Sequence, residues 1–225
     1  MSDYDIVRHP TARRVRLALD PATGRARLVV PRRAALTKAV AWADDKLDWL
    51  AEQRARLPIA QPFVDGAVLP VADEELTIRW HRDSRARSVR REGDALHTGG
   101  PEATLAPRVE TWLKSTALEL LAAETHELAS RAGVVVPGVA IGDPRGRWGS
   151  CAATGTIRYS WRLLLAPGFV RRSTVAHEVA HRVHMNHGPA FHALAGELYG
   201  DDPQASRDWL RRHGAGLHWF GRSSV

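Results

Sequence analysis

Val175-Ala176-His177-Glu178-Val179-Ala180-His181-Arg182-Val183-His184-Met185-Asn186-His187-Gly188-Pro189-Ala190-Phe191 reads as a helix, a turn and the start of a second helix. Val175, Val179 and Val183 recur every four residues and mark an apolar helix face. His177 and His181 are also four apart, so their imidazoles converge on one side of that helix. Asn186 tolerates the left-handed backbone that ends a helix, and Gly188-Pro189 suits the cap and first turn of the next one. Two imidazoles at this spacing offer a zinc ion two nitrogens, and a glutamate beside the first can take a proton from the metal's water. Three such fixed positions would arise by accident roughly 0.03 times in a chain of this composition. The context narrows it further, because five of the eleven histidines lie between positions 177 and 192.

A zinc hydrolase takes its third protein ligand from another direction and leaves one position open. The candidates are His184, His187, His192, Glu197 and Asp201. His184 lies on the same helical face as His177, but a ligand a turn further along a straight helix would stretch the tetrahedron. His187 sits in the turn, from which it can swing back over the metal, and it is the first choice. His192 reads as a packed residue of the second helix. The histidine spacing also matches the metzincin pattern. However, His184 stands where that pattern has glycine, and no Met-turn is visible.

Outward from this stretch the chain looks α+β. Residues 134–141, 148–151 and 156–165 read as strands, with a turn at 153–155. They follow a long helix over 107–132 that Gly133 closes. Before it, Gly99-Gly100-Pro101 reads as a domain joint. The first part is β-rich: a hairpin of 15–19 and 26–30, one long helix over 34–56, and short strands at 67–69, 76–81 and 88–91. The expected domains are 1–100, β-rich with one long helix, and 101–225, which carries the chemistry.

Of the 225 residues, 44% are hydrophobic and 25% charged, which excludes disordered and fibrous classes. A single cysteine, Cys151, excludes a disulfide framework and a Cys-rich zinc module. The acidic start has no apolar core of a signal peptide, and the apolar run over 132–142 is too short to span a bilayer, so a cytoplasmic protein without membrane association is expected. The net charge of +7 invites a nucleic-acid reading. Yet only three of the 32 basic residues are lysine, and the charge is spread along the chain. The local cluster Arg82, Arg85, Arg87, Arg90 and Arg91 reads as a solvated face.

Trp148, Gly149 and Ser150 read as a strand edging the cleft, where an extended substrate could pair. Cys151 is a weak candidate for nucleophile or ligand. His184, Tyr159 and Tyr199 are candidates to stabilise an oxyanion, and His184 is also a candidate substrate contact.

Several segments together resemble one family. They are Arg147-Trp148-Gly149-Ser150-Cys151, Gly155-Thr156-Ile157, Trp161-Arg162-Leu163 with Ala166-Pro167, His177-Glu178-x-x-His181, and Asn186-His187-Gly188-Pro189-Ala190-Phe191. They resemble the YgjP-like metal-dependent hydrolases, which are similar in turn to the SprT-like zinc metalloproteases. Arg13-Arg14-Val15-Arg16-Leu17, Val30-Pro31 and Lys46-x-x-Trp49 resemble the family's front half. The resemblance implies a zincin-like metallopeptidase domain with its H-E-x-x-H helix packed on a small sheet. It further implies one Zn2+ held by His177, His181 and His187, with Glu178 as general base and a peptide or protein as substrate. Ser160 and His192 depart from the family's pattern, which has asparagine and an aromatic residue there. The alternatives are another amide hydrolase, or a protein- or nucleic-acid-binding module with a structural zinc. Oligomeric state is not legible.

Overall fold

The computed structural model describes residues 3–223. The chain divides into two compact units, Met1–Ile59 and Ala60–Val225.

The first unit contains β1 (Asp5–His9), β2 (Arg16–Leu19), β3 (Ala26–Pro31), α1 (Leu36–Asp44) and α2 (Leu47–Ala55). β3 is the middle strand, parallel to β1 and antiparallel to β2. Its alternation buries Ala26, Leu28 and Val30, which form a separate small core with Leu17, Ala39, Ala43 and Leu50. The single helix expected over 34–56 is two helices. The break lies at Asp45–Lys46, where the Lys46 N–H bonds the Ala43 carbonyl and the turn tightens. No proline or glycine announces it.

The second unit begins with β4 (Val68–Val71), β5 (Glu74–His81), β6 (Arg90–Glu92) and β7 (Ala95–Gly99), in the order β4-β5-β7-β6. A 27-residue helix, α3 (Leu105–Arg131), follows. Then come β8 (Val139–Gly142), β9 (Gly149–Cys151) and β10 (Ile157–Ser160), with β10 in the middle. A 3-10 segment, Trp161–Leu165, leads into α4 (Gly168–Ala180), α5 (Pro189–Tyr199) and α6 (Gln204–Leu217). The expected strand over 156–165 therefore ends at Ser160 and turns into the 3-10 segment, in which all five residues are buried.

The expected joint at Gly99-Gly100 is not where the units divide. Leu69, Val71, Leu76, Ile78 and Leu96 from the four-stranded sheet share one core with Leu105, Val109, Leu113 and Leu121 of α3. The two glycines serve close packing there. A side chain at Gly99 would meet the Ser84 backbone oxygen at 2.6 Å, and Gly100 has φ +78°.

The same core continues into Ile157, Tyr159, Trp161, Val175 and Val179, and α4 packs against both α3 and β9 while α3 packs against β8. Ion pairs add to this packing: Arg171 with Glu124 at 2.9 Å and Arg172 with Glu127 tie α4 to α3. The fold is α+β as expected, with three small sheets and six α-helices among the described residues. No helix among them is long and apolar enough to cross a membrane.

Candidate metal centre

α4 ends at the site. His177 lies in its last turn and His181 is its C-cap residue, so the helix stops sooner than the valine pattern suggests. The chain turns through 181–188, and α5 starts at Pro189 with Gly188 as its cap. That short return lays His187 across the end of α4. The ligand atoms of His177, His181 and His187 all lie within 4.8 Å of one another, the one such group among the described residues.

The donor set fits a tetrahedral divalent ion. The Nε2 atoms of His177 and His187 face each other at 3.2 Å. Metal–nitrogen bonds of about 2.05 Å put neighbouring tetrahedral ligands about 3.4 Å apart. The Nδ1 of His181 faces the His184 carbonyl at 3.1 Å, so with its proton on Nδ1 the ring leaves Nε2 free as a donor. Burial, followed by His181 and His187, lowers the His177 pKa to about 4, and burial also lowers that of His181. Both imidazoles are thus neutral at neutral pH, the form that binds a metal.

Phe191, which the sequence offered only as part of the family motif and without a role, completes this group. It is fully buried, and its ring centroid lies 4.9, 4.5 and 4.6 Å from those of His177, His181 and His187. The signal was its place four residues after His187, on the helix face that turns toward the triad.

Glu178 points into the unit from the same turn of α4 and is only 5% exposed. Burial raises its pKa to about 7, against the opposing charge of Arg147 and a hydrogen bond from the Cys151 backbone. The carboxyl rests against Gly149, where a Cβ would come within 2.6 Å of Glu178 Cγ and 2.7 Å of Cδ. Glycine at 149 is what lets the strand and the acid approach so closely.

β9 is an edge strand, paired only with β10. Its register places the cross-strand bonds at Trp148, Ser150 and Ala152, so the backbone groups of Gly149 and Cys151 face the free edge. A cleft of about 290 Å³ opens beside Glu178 and His177. Its lining comes from Arg147, Trp148 and Gly149 at the start of β9, from Ser173 and Thr174 of α4, and from Ser206, Arg207 and Leu210 of α6. α6 is held in place by Arg162, which donates to the Leu217 carbonyl at 2.7 Å and the Phe220 carbonyl at 3.2 Å, and pairs with Asp143.

Not every candidate converges here. Trp148 and Gly149 line the cleft, and Ser150 does not. Tyr159 is fully buried, and its hydroxyl meets Thr125 Oγ at 3.0 Å, so it faces the core rather than a substrate. His184 contributes a backbone carbonyl to His181, and neither it nor Tyr199 lines the cleft. His192, Glu197 and Asp201 stand outside the triad. Burial raises the Cys151 pKa, which keeps its thiol protonated and a poor nucleophile.

Compared with protein-family models, residues 13–213 match the YgjP-like, metallopeptidase domain. No curated protein and no solved structure matches the chain.

Proposed function

The chain belongs to the YgjP-like metallopeptidase family, and from that premise we propose that it hydrolyses peptide bonds using one zinc ion held by His177, His181 and His187. The observation that carries this reading is that the buried Glu178 carboxyl shares an open cleft with His177, one of three converging imidazoles. A metal with three protein ligands keeps a position open, and a buried acid next to it is what hydrolysis needs and a purely structural site does not. Three imidazoles favour zinc but also accept other first-row ions.

A divalent ion in this donor set supplies Lewis acidity, which polarises the scissile carbonyl and makes water acidic enough to lose a proton near neutral pH. Glu178 takes that proton as the water attacks the carbonyl carbon, and then delivers it to the departing amine nitrogen. The backbone hydrogen bond from Cys151 and the contact with Gly149 hold the carboxyl in one orientation between the two transfers. An extended substrate pairs with the free edge at Gly149, which sets the scissile bond against Glu178. Phe191 holds the three rings together from behind.

The test is metal content beside peptide hydrolysis for wild type, Glu178→Gln and His187→Ala. The reading expects about one zinc in wild type and in Glu178→Gln, loss of hydrolysis in Glu178→Gln, and loss of the metal in His187→Ala. Metal in wild type without cleavage of any peptide would move the substrate to another amide. Absence of bound metal after zinc is supplied would overturn the hydrolase reading.

A further inference from the structure

Two arginines line the cleft. Arg147 lies two residues before β9, and Arg207 is on α6. Both are exposed, and neither guanidinium has an ion-pair partner among the described residues. Several other arginines of this unit are ion-paired. Arg162 is paired with Asp143, Arg171 with Asp73 and Glu124, Arg172 with Glu127, and Arg211 with Asp208. His177 and Glu178 line the same cleft, so each cation shares the space of the reacting centre. Among the described residues, Glu178 is the one carboxyl that lines the cleft.

Resting on the peptidase reading for what the cleft receives, we propose that Arg147 and Arg207 select substrates that place a carboxylate beside the scissile bond. A guanidinium presents a planar pair of donors that matches a carboxylate in two-point geometry, and such charge-assisted bonds are stronger than neutral ones. Two of them in one cleft attract an anion and repel a lysine or arginine at the same place. Thr174 and Ser206 line the same cleft and add hydroxyls of the same donor character. The carboxylate comes either from an aspartate or glutamate side chain or from the chain's own C-terminus.

The experiment uses the metal-loaded full-length protein and fluorescent peptides in which one Glu, Gln or Lys is walked through each position. Each peptide carries an amidated C-terminus, and a neutral peptide with a free C-terminus is run beside them. Binding is read by anisotropy with Glu178→Gln, and kcat/KM with wild type. At the selected position the Glu peptide is expected to bind and react about tenfold better than Gln, with Lys weakest. Arg207→Gln removes most of that ratio and Arg207→Glu inverts it, while 0.5 M salt compresses it. Arg207 is exposed, so neither change disturbs the core, and thermal unfolding of both variants checks this.

Preference for the free C-terminus over internal Glu assigns the carboxylate to the chain end, and the reverse assigns it to a side chain. Equal binding of the Glu, Gln and Lys peptides, or a ratio that survives Arg207→Glu, overturns the proposal while cleavage by wild type leaves the peptidase reading intact. Selective binding without cleavage by wild type does the opposite: the carboxylate preference stands and the peptidase reading falls. Neither binding nor cleavage of any peptide sinks both.

Discussion

The Asp73 carboxylate accepts the backbone N–H of Gly168 at 2.6 Å, across 95 residues of chain. Asp73 sits in the two-residue turn between β4 and β5, with Ala72 and Asp73 at φ +51° and +71°. Gly168 opens α4, whose last turn carries His177 and Glu178. The start of the helix thus takes its side-chain cap from another sheet, and Asp73 also pairs with Arg171 on the following turn at 3.4 Å.

Removing that cap loosens the helix that presents the site. Asp73→Ala is expected to lower stability by about 1–2 kcal/mol, the range for a lost N-terminal cap. Asp73→Asn keeps an acceptor oxygen and tolerates the left-handed backbone, so it is expected to cost less than about half of that. Urea unfolding of the three proteins checks the order, and an Asp73→Ala midpoint equal to that of wild type would show that the cap contributes nothing.

Gly149→Ala tests the approach of strand and acid. The new methyl group would force Glu178 Cγ and Cδ from positions 2.6 and 2.7 Å away. Displacing a positioned proton acceptor by an ångström costs turnover of at least about tenfold. The atoms nearest the new methyl group belong to Glu178 and not to the histidine triad, so the metal is expected to stay. The expected result is a fall in kcat with bound metal unchanged.

Phe191→Leu removes the ring that packs on all three imidazoles. Supporting groups of this kind typically change metal affinity about 10- to 100-fold. Competition against a chelator is expected to show at least tenfold weaker binding, with the fold retained because leucine still fills an apolar site. Unaltered affinity would mean that the backbone alone positions the rings.

Acid should weaken the second unit partly through Asp143. Burial pushes its carboxyl up, but the Arg162 hydrogen bonds at 2.7 and 3.0 Å and the nearby charges of Arg162, His218 and Lys114 pull it down further. A folded-state pKa below the unfolded value of about 3.9 gives stability that is complete above that pH and lost as pH falls through the folded value. Urea midpoints for wild type and Asp143→Asn are expected to differ most near pH 6 and to converge below about pH 4.

The H-E-x-x-H spacing, the return of His187 through Asn186-Gly188-Pro189, the hairpin of β2 and β3 and the close of α3 at Gly133 follow from local rules. A four-residue helical spacing, a cap and a left-handed glycine each involve residues near one another in the chain, so composition and order alone determined them. The family resemblance was legible for a similar reason, since its motifs are short and contiguous.

Tertiary structure decided the rest. The division at Ile59, the cap from Asp73, the contact of Gly149 with Glu178, the burial of the Tyr159 hydroxyl and the meeting of Arg147 and Arg207 in one cleft all join residues far apart in sequence. A periodic pattern shows that a face is buried but not what it is buried against. That partner is chosen by the packing of the whole core, and so are the proton affinity of Glu178 and the charge that faces a substrate.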